Sequence, residues 1–130
     1  MLHATLSVQR EAEVTCIDVA GRFVVSGYDD GCICVWNGND AALKRKIRGR
    51  GDPVRCLSTA WGFIFAGYSD GRVKQIEMET GEVIRRFRSH SRLPITSLAT
   101  STQYLIAAGE GGLFLDPKVR VPIQSELPGS

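Results

Sequence analysis

The chain repeats itself at a fixed period, and nothing else in it limits the fold so tightly. Residues 14–53 align with 54–93 without a gap, and ten positions are identical: Val14/Val54, Cys16/Cys56, Ala20/Ala60, Phe23/Phe63, Gly27/Gly67, Tyr28/Tyr68, Asp30/Asp70, Gly31/Gly71, Arg45/Arg85 and Arg48/Arg88. Chance would supply about two or three. Pairs such as Val24/Ile64, Ile33/Val73 and Ile47/Phe87 keep the character of the position. A third copy follows at an offset longer by one, matching Pro53-Val54 with Pro94-Ile95, Phe63 with Tyr104 and Gly71 with Gly112. A period of this length belongs to architectures in which each repeat is one small unit that buries its faces against its neighbours.

Each copy holds short strand-like segments. They are Val14–Val19, Phe23–Gly27, Cys32–Trp36 and Leu43–Arg48 in the first, and Val54–Thr59, Phe63–Gly67, Arg72–Glu77 and Val83–Arg88 in the second. The third has Ile95–Ala99, Tyr104–Ala108 and Leu113–Leu115, with no clear fourth. Turn pairs such as Ala20-Gly21, Asp30-Gly31, Asp70-Gly71, Thr80-Gly81 and Gly111-Gly112 separate them. This spacing predicts an all-β antiparallel fold. The second strand of each copy is apolar without alternation, as in Phe23-Val24-Val25 and Phe63-Ile64-Phe65, so both its faces must be covered. The fourth strands are charged, which suits an outer edge where Lys and Arg deter further pairing.

The run Val25-Ser26-Gly27-Tyr28-Asp29-Asp30-Gly31-Cys32-Ile33-Cys34-Val35-Trp36 resembles the WD40 repeat. In that family Ser-Gly ends the second strand, Asp-Gly makes the next turn and Trp closes the third strand. Gly67, Asp70 and Gly71 restate the pattern, with Ile76 in the Trp place. The resemblance covers about residues 14–116. It implies four-stranded blades stacked as a β-propeller: blade 1 over 14–48, blade 2 over 54–88 and a partial blade 3 over 95–116, followed by a tail over 117–130. Ser26, Gly27, Asp30, Gly31, Trp36, Gly67, Asp70 and Gly71 become blade-building residues. The family's His that bonds the turn Asp has a counterpart only in His90. Arg50 fills that slot one repeat earlier, where it is expected to pair with a turn Asp.

Closed propellers need about 4–8 blades. Counting Thr5-Leu6-Ser7-Val8 as an outer strand gives this chain three blades' worth, and Val119–Ile123 competes for that place. Two chains pairing into one ring, or a longer parent chain, would cover the end faces.

Such a propeller is expected to act as a non-catalytic scaffold for protein partners in a larger complex. The loop face that the resemblance defines carries Arg10, Glu11, Tyr28, Asp29, Arg50, Asp52, Tyr68, Ser69, His90, Arg92 and Glu110. Tyr28 and Tyr68 occupy equivalent places and either anchor a partner or pack within their loops. The alternative is nucleic-acid or acidic-lipid binding through a basic rim of Lys44, Arg45, Lys46, Arg48, Arg85, Arg86 and Arg88. A net charge of only +2 does not favour nucleic acid by itself.

Catalysis finds little support. His3 and His90 are the only histidines, and neither falls into a nucleophile–base arrangement. Gly109–Gly112 reads as a hairpin turn, not a phosphate loop. Cys16, Cys32, Cys34 and Cys56 lie in apolar segments without metal-ligand spacing, so no metal or cofactor is expected and the thiols read as reduced, buried packing groups. No apolar run reaches the ~18 residues of a membrane helix, and the N-terminus has no secretory pattern. An intracellular, cytoplasmic or nuclear location is expected.

Overall fold

A computed structural model describes residues 12–88, 92–100 and 105–116. Two four-stranded sheets and one three-stranded sheet account for all the described strands, and every pairing is antiparallel. Blade 1 contains β1 (Val14–Ala20), β2 (Phe23–Tyr28), β3 (Ile33–Asn37) and β4 (Leu43–Ile47). Blade 2 contains β5 (Val54–Ala60), β6 (Phe63–Tyr68), β7 (Arg72–Glu77) and β8 (Val83–Arg88). Blade 3 contains β9 (Ile95–Thr100), β10 (Leu105–Gly109) and β11 (Gly112–Asp116). Each is a meander in chain order. The segments Thr5–Val8 and Val119–Ile123, each expected to supply an outer strand, lie outside the described residues.

The repeat extends to the irregularities. The β1/β2 register shifts between Val14 and Cys16, and the β5/β6 register shifts at the equivalent place, between Val54 and Cys56. Bulges of this kind bend the strand and re-aim one side chain. Thr15 sits in the first bulge, and its hydroxyl lies within bonding reach of the Gly27 carbonyl (3.2 Å) and of the Val54 carbonyl on the next blade. Thr96 reaches the Ala108 carbonyl in the same way in blade 3, at 3.2 Å.

Two apolar layers lie between the blades. Val25, Ile33 and Val35 of blade 1 meet Val54, Ile64, Ala66, Tyr68 and Ile76 of blade 2. Phe65, Val73 and Cys56 of blade 2 meet Ile95, Leu105 and Ala107 of blade 3. This explains the unbroken apolar second strands: Ile64 faces one neighbour and Phe65 the other, and both are fully buried. A third cluster of Tyr28, Cys32, Cys34 and Trp36 lies on the far side of blade 1.

Gly27 and Gly67 permit this stacking. A Cβ on Gly27 would sit 2.8 Å from both Cys16 Sγ and Val54 Cγ1, and one on Gly67 would sit 2.6 Å from both Cys56 Sγ and Ile95 Cγ2. The first strand of each following blade thus presses directly on the glycine, where a side chain would hold the sheets apart.

One polar staple has no counterpart in the other described repeats. Asp18 on β1 accepts hydrogen bonds from both the backbone N–H and the hydroxyl of Thr59 on β5, each at 2.8 Å. We expect Asp18→Ala to strand both donors and cost about 1–3 kcal/mol. Asp18→Asn, which keeps one acceptor oxygen, should cost less. Urea midpoints of the two variants check the order.

Candidate interaction face

The turns between second and third strands and the loops between blades gather at one end of the stack, tied by backbone bonds. In blade 1, Gly31 N–H donates to the Tyr28 carbonyl (3.1 Å) and Gly51 N–H to the Asp30 carbonyl (3.1 Å). In blade 2, Gly71 N–H donates to the Tyr68 carbonyl (3.2 Å) and Ser69 N–H to the Pro53 carbonyl (3.1 Å). Gly31 and Gly71 adopt φ of 88° and 87°, a region that favours glycine. Asp30 and Asp70 each accept the backbone N–H two residues on, Cys32 and Arg72 respectively, at 3.0 Å. This is the local bond that makes Asp a turn residue.

The tyrosines correct the expectation of exposed anchors. Tyr28 is 3% exposed and Tyr68 4%, so neither offers its ring to a partner in this arrangement. The reason is register. Each Tyr is the last residue of a second strand and points to the same side as Ser26 or Ala66, into an apolar layer. In blade 1 the Trp36 indole N–H donates to Ser26 Oγ at 2.9 Å, and Ser26 donates to the Tyr28 hydroxyl at 3.1 Å. Blade 2 places Ala66 and Ile76 where Ser26 and Trp36 stand, so that layer has no indole donor to satisfy. Lys74 Nζ instead lies 4.9 Å above the Tyr68 ring, a favourable contact. Burial raises the Tyr68 phenol well above its usual range. Ser26→Ala should leave the Trp36 N–H without its acceptor and lower stability by about 1–3 kcal/mol. Chemical denaturation beside a Ser26→Thr variant, which keeps a hydroxyl, measures it.

What remains on the surface here is charged. Asp29, Arg50, Asp52, Arg92 and Glu110 are exposed, and Ser69 is half-buried. Asp29 is held in place: its Oδ1 accepts Glu13 N–H at 3.1 Å and its own N–H donates to the Glu13 carbonyl at 3.0 Å. Arg50 borders a small depression with Asp52, Tyr68, Asp70, Arg72 and Lys74. The ion pair found at Asp70 is with Arg72 Nε at 3.2 Å, a contact within the turn itself. His90, Arg10 and Glu11 lie outside the described residues.

The basic rim is not one flat stripe. Arg45 turns toward blade 2, where it donates to the Glu79 carbonyl and is half-buried. Lys46 pairs across from Cys34, and Lys44 sits 5.5 Å from the Phe23 ring centroid. Arg85 stands opposite Gln75, while Arg86 stands opposite Lys74 on the other face of the sheet. The cysteines are free thiols in packed positions. Burial raises the Cys16 thiol, and burial raises Cys56 to about 12. Such thiols are protonated near neutral pH and are poor nucleophiles. No cluster of three potential metal ligands occurs among the described residues.

The opposite end of the stack holds a feature that no motif of the repeat marks. A groove of about 540 Å³ runs between blades 1 and 2, lined by Phe23, Val35, Phe63 and Met78, with Arg22 and Lys44 beside Glu77 and Glu79. Trp61 stands at its mouth with φ of 51°, rare for so bulky a residue. The only signal in sequence was a Trp in a hairpin turn where the first repeat has Gly21.

Three antiparallel sheets stacked through apolar layers define a partial β-propeller of the WD40 class. The family model described as WDR54 matches residues 8–122, and the chain belongs to that family. Among solved structures, a chain of a mitotic checkpoint complex shares 18% identity at a TM-score of 0.81, covering 91% of this chain and 40% of that one. The Cps50 (Swd1) β-propeller domain of Myceliophteria thermophila gives 21%, 0.72, 86% and 38%. The RRP9 WD40 repeats give 18%, 0.71, 78% and 34%. This chain therefore spans well under half the length of each, and the likeness speaks for the fold. A comparison with curated proteins found no match. No helix among the described residues is long and apolar enough to cross a membrane.

Proposed function

We propose that this chain is a non-catalytic scaffold that holds protein partners within a larger assembly. The observation that carries the reading is the charged loop face: Asp29, Arg50 and Asp52 are exposed on turns that backbone bonds and buried tyrosines hold rigid. A rigid support lets a few charged side chains meet a partner without the ordering cost that a floppy loop would add. Charged contacts of this kind set specificity and the rate of encounter. Membership of a WD-repeat family supports the reading at the level of the family. A cytoplasmic or nuclear setting, and a second copy of the chain as one of the partners, belong to the same proposal.

The test is affinity purification of the tagged chain with quantitative mass spectrometry, comparing wild type with an Asp29→Lys/Asp52→Lys variant of matched melting temperature. Partners recovered with wild type and lost from the variant support the loop face. Identical recovery from both would move the contact to another surface, with the groove beside Trp61 as the next to be mutated. Light scattering across a concentration range tests the second copy: a species of twice the 14.2 kDa chain mass supports pairing, and a monomer throughout excludes it.

A further inference from the structure

Blade 2 carries an arrangement that blade 1 avoids. On β7 and β8, Lys74 stands directly across from Arg86, and Arg72 directly across from Arg88. Side chains alternate along a strand, so Arg72 and Lys74 share one face, and so do Arg86 and Arg88. The rungs lie about 7 Å apart, and the Cβ atoms within a rung about 5 Å apart. Four cations thus form a compact square. Like charges directly opposite destabilise a sheet. In blade 1 the position equivalent to Lys74 is Cys34, and it faces the cation Lys46. There the conflict does not arise.

The square lies on the side of blade 2 that faces blade 1, and Arg50 approaches it from the loop between the blades. The Lys74 ammonium is held below its usual range, first by burial and then by Arg86, Arg50 and Arg72, with Asp70 opposing. Lys74 is fixed over Tyr68. Asp70 forms its ion pair with Arg72, and it and Asp52 in the same depression offset only part of the positive charge. Excess positive charge therefore stays at the Lys74–Arg86 rung. Arg86, Arg88 and Arg50 are exposed and can reach a ligand from solvent.

We propose that the Lys74–Arg86 rung, flanked by Arg72, Arg88 and Arg50, is a binding site for a phosphate-bearing anion. The anion relieves a repulsion that the sheet otherwise carries, and guanidinium groups are suited to grip phosphate oxygens through paired N–H donors. Two cationic rungs at this strand spacing favour a ligand with more than one phosphate group over a single small anion. The site shares Arg50 with the loop face of the scaffold reading, but its test does not depend on any protein partner.

The experiment is thermal unfolding of the full chain in sodium tripolyphosphate against sodium chloride at equal ionic strength. Tripolyphosphate should raise the melting temperature where chloride does not. Arg86→Gln should abolish the gain, weaken tripolyphosphate binding about tenfold or more, and leave the anion-free melting temperature unchanged or higher. Arg85→Gln, on the opposite face, should keep the gain. Equal shifts in both salts, or a gain that survives both Arg86→Gln and Lys74→Gln, would overturn the site. Single-stranded RNA that binds more tightly than tripolyphosphate, and is weakened as much by Arg85→Gln as by Arg86→Gln, would overturn it in favour of an extended rim. Co-sedimentation with phosphatidylcholine vesicles carrying a phosphorylated lipid identifies the source. Binding lost in Arg86→Gln puts the phosphate on a headgroup, and no binding beside a tripolyphosphate gain puts it on a soluble molecule; the site stands in both cases.

Discussion

Phe65→Ala is expected to destabilise the chain by about 3–5 kcal/mol, the range for emptying an aromatic site in a packed core. Phe65 is fully buried between blades 2 and 3, against Cys56, Val73, Ile95, Leu105 and Ala107. Removing its ring deletes the largest single group of that layer. Backbone strands flank the site on both sides, so the cavity cannot collapse without moving a whole blade. A domain of this size should lose roughly 10–20 °C of melting temperature. Phe63 supplies the control. It lies two residues earlier on the same strand, with its ring centroid 6.4 Å from that of Phe65, yet it is only half-buried. Phe63→Ala should therefore cost clearly less in urea denaturation. Equal losses would mean that the layer between blades 2 and 3 is not the packed interface described.

Gly67→Ala is the second large effect, expected at about 1–3 kcal/mol even though it adds a single methyl group. The added carbon would meet Cys56 Sγ and Ile95 Cγ2 at 2.6 Å and Ile95 Cβ at 2.9 Å. None of these can retreat freely, because Cys56 and Ile95 are buried in first strands of adjacent blades. The cost is one of separation: blade 3 must move off blade 2, and the contacts of Ile95 and Ala107 weaken with it. Combining Gly67→Ala with Cys56→Ala removes one of the two obstacles. The double variant should then lose less than the sum of the single losses, a coupling that a double-mutant cycle reads directly. Simple additivity would show that the alanine methyl is accommodated by some other route.

The blades were legible in the sequence because their causes are local and periodic. Turn residues at Asp30-Gly31 and Asp70-Gly71, apolar second strands and charged fourth strands each follow from what one strand needs of its neighbours. Repetition at a fixed period multiplied a weak signal into a firm one. The cysteines were legible as well, since thiols in apolar runs pack.

The candidate sites were less so. Tyr28 and Tyr68 end their strands and look like loop residues by position. Their direction depends on the parity of the pleat relative to the neighbouring blade, which no property of the local sequence expresses. Trp61 was overlooked because its role follows from a turn conformation and from the groove that two blades make together. The charge square on β7 and β8 joins positions far apart along the chain, and only the cross-strand register shows that Lys74 meets Arg86 while Arg85 meets Gln75. Sequence alone determined the repeat, the strands, the turns and the propeller class, because hydrogen-bonding pattern and hydrophobic spacing act over a few residues. Tertiary structure decided which side chains are surface and which are filling, because that depends on which face of each sheet the next blade covers.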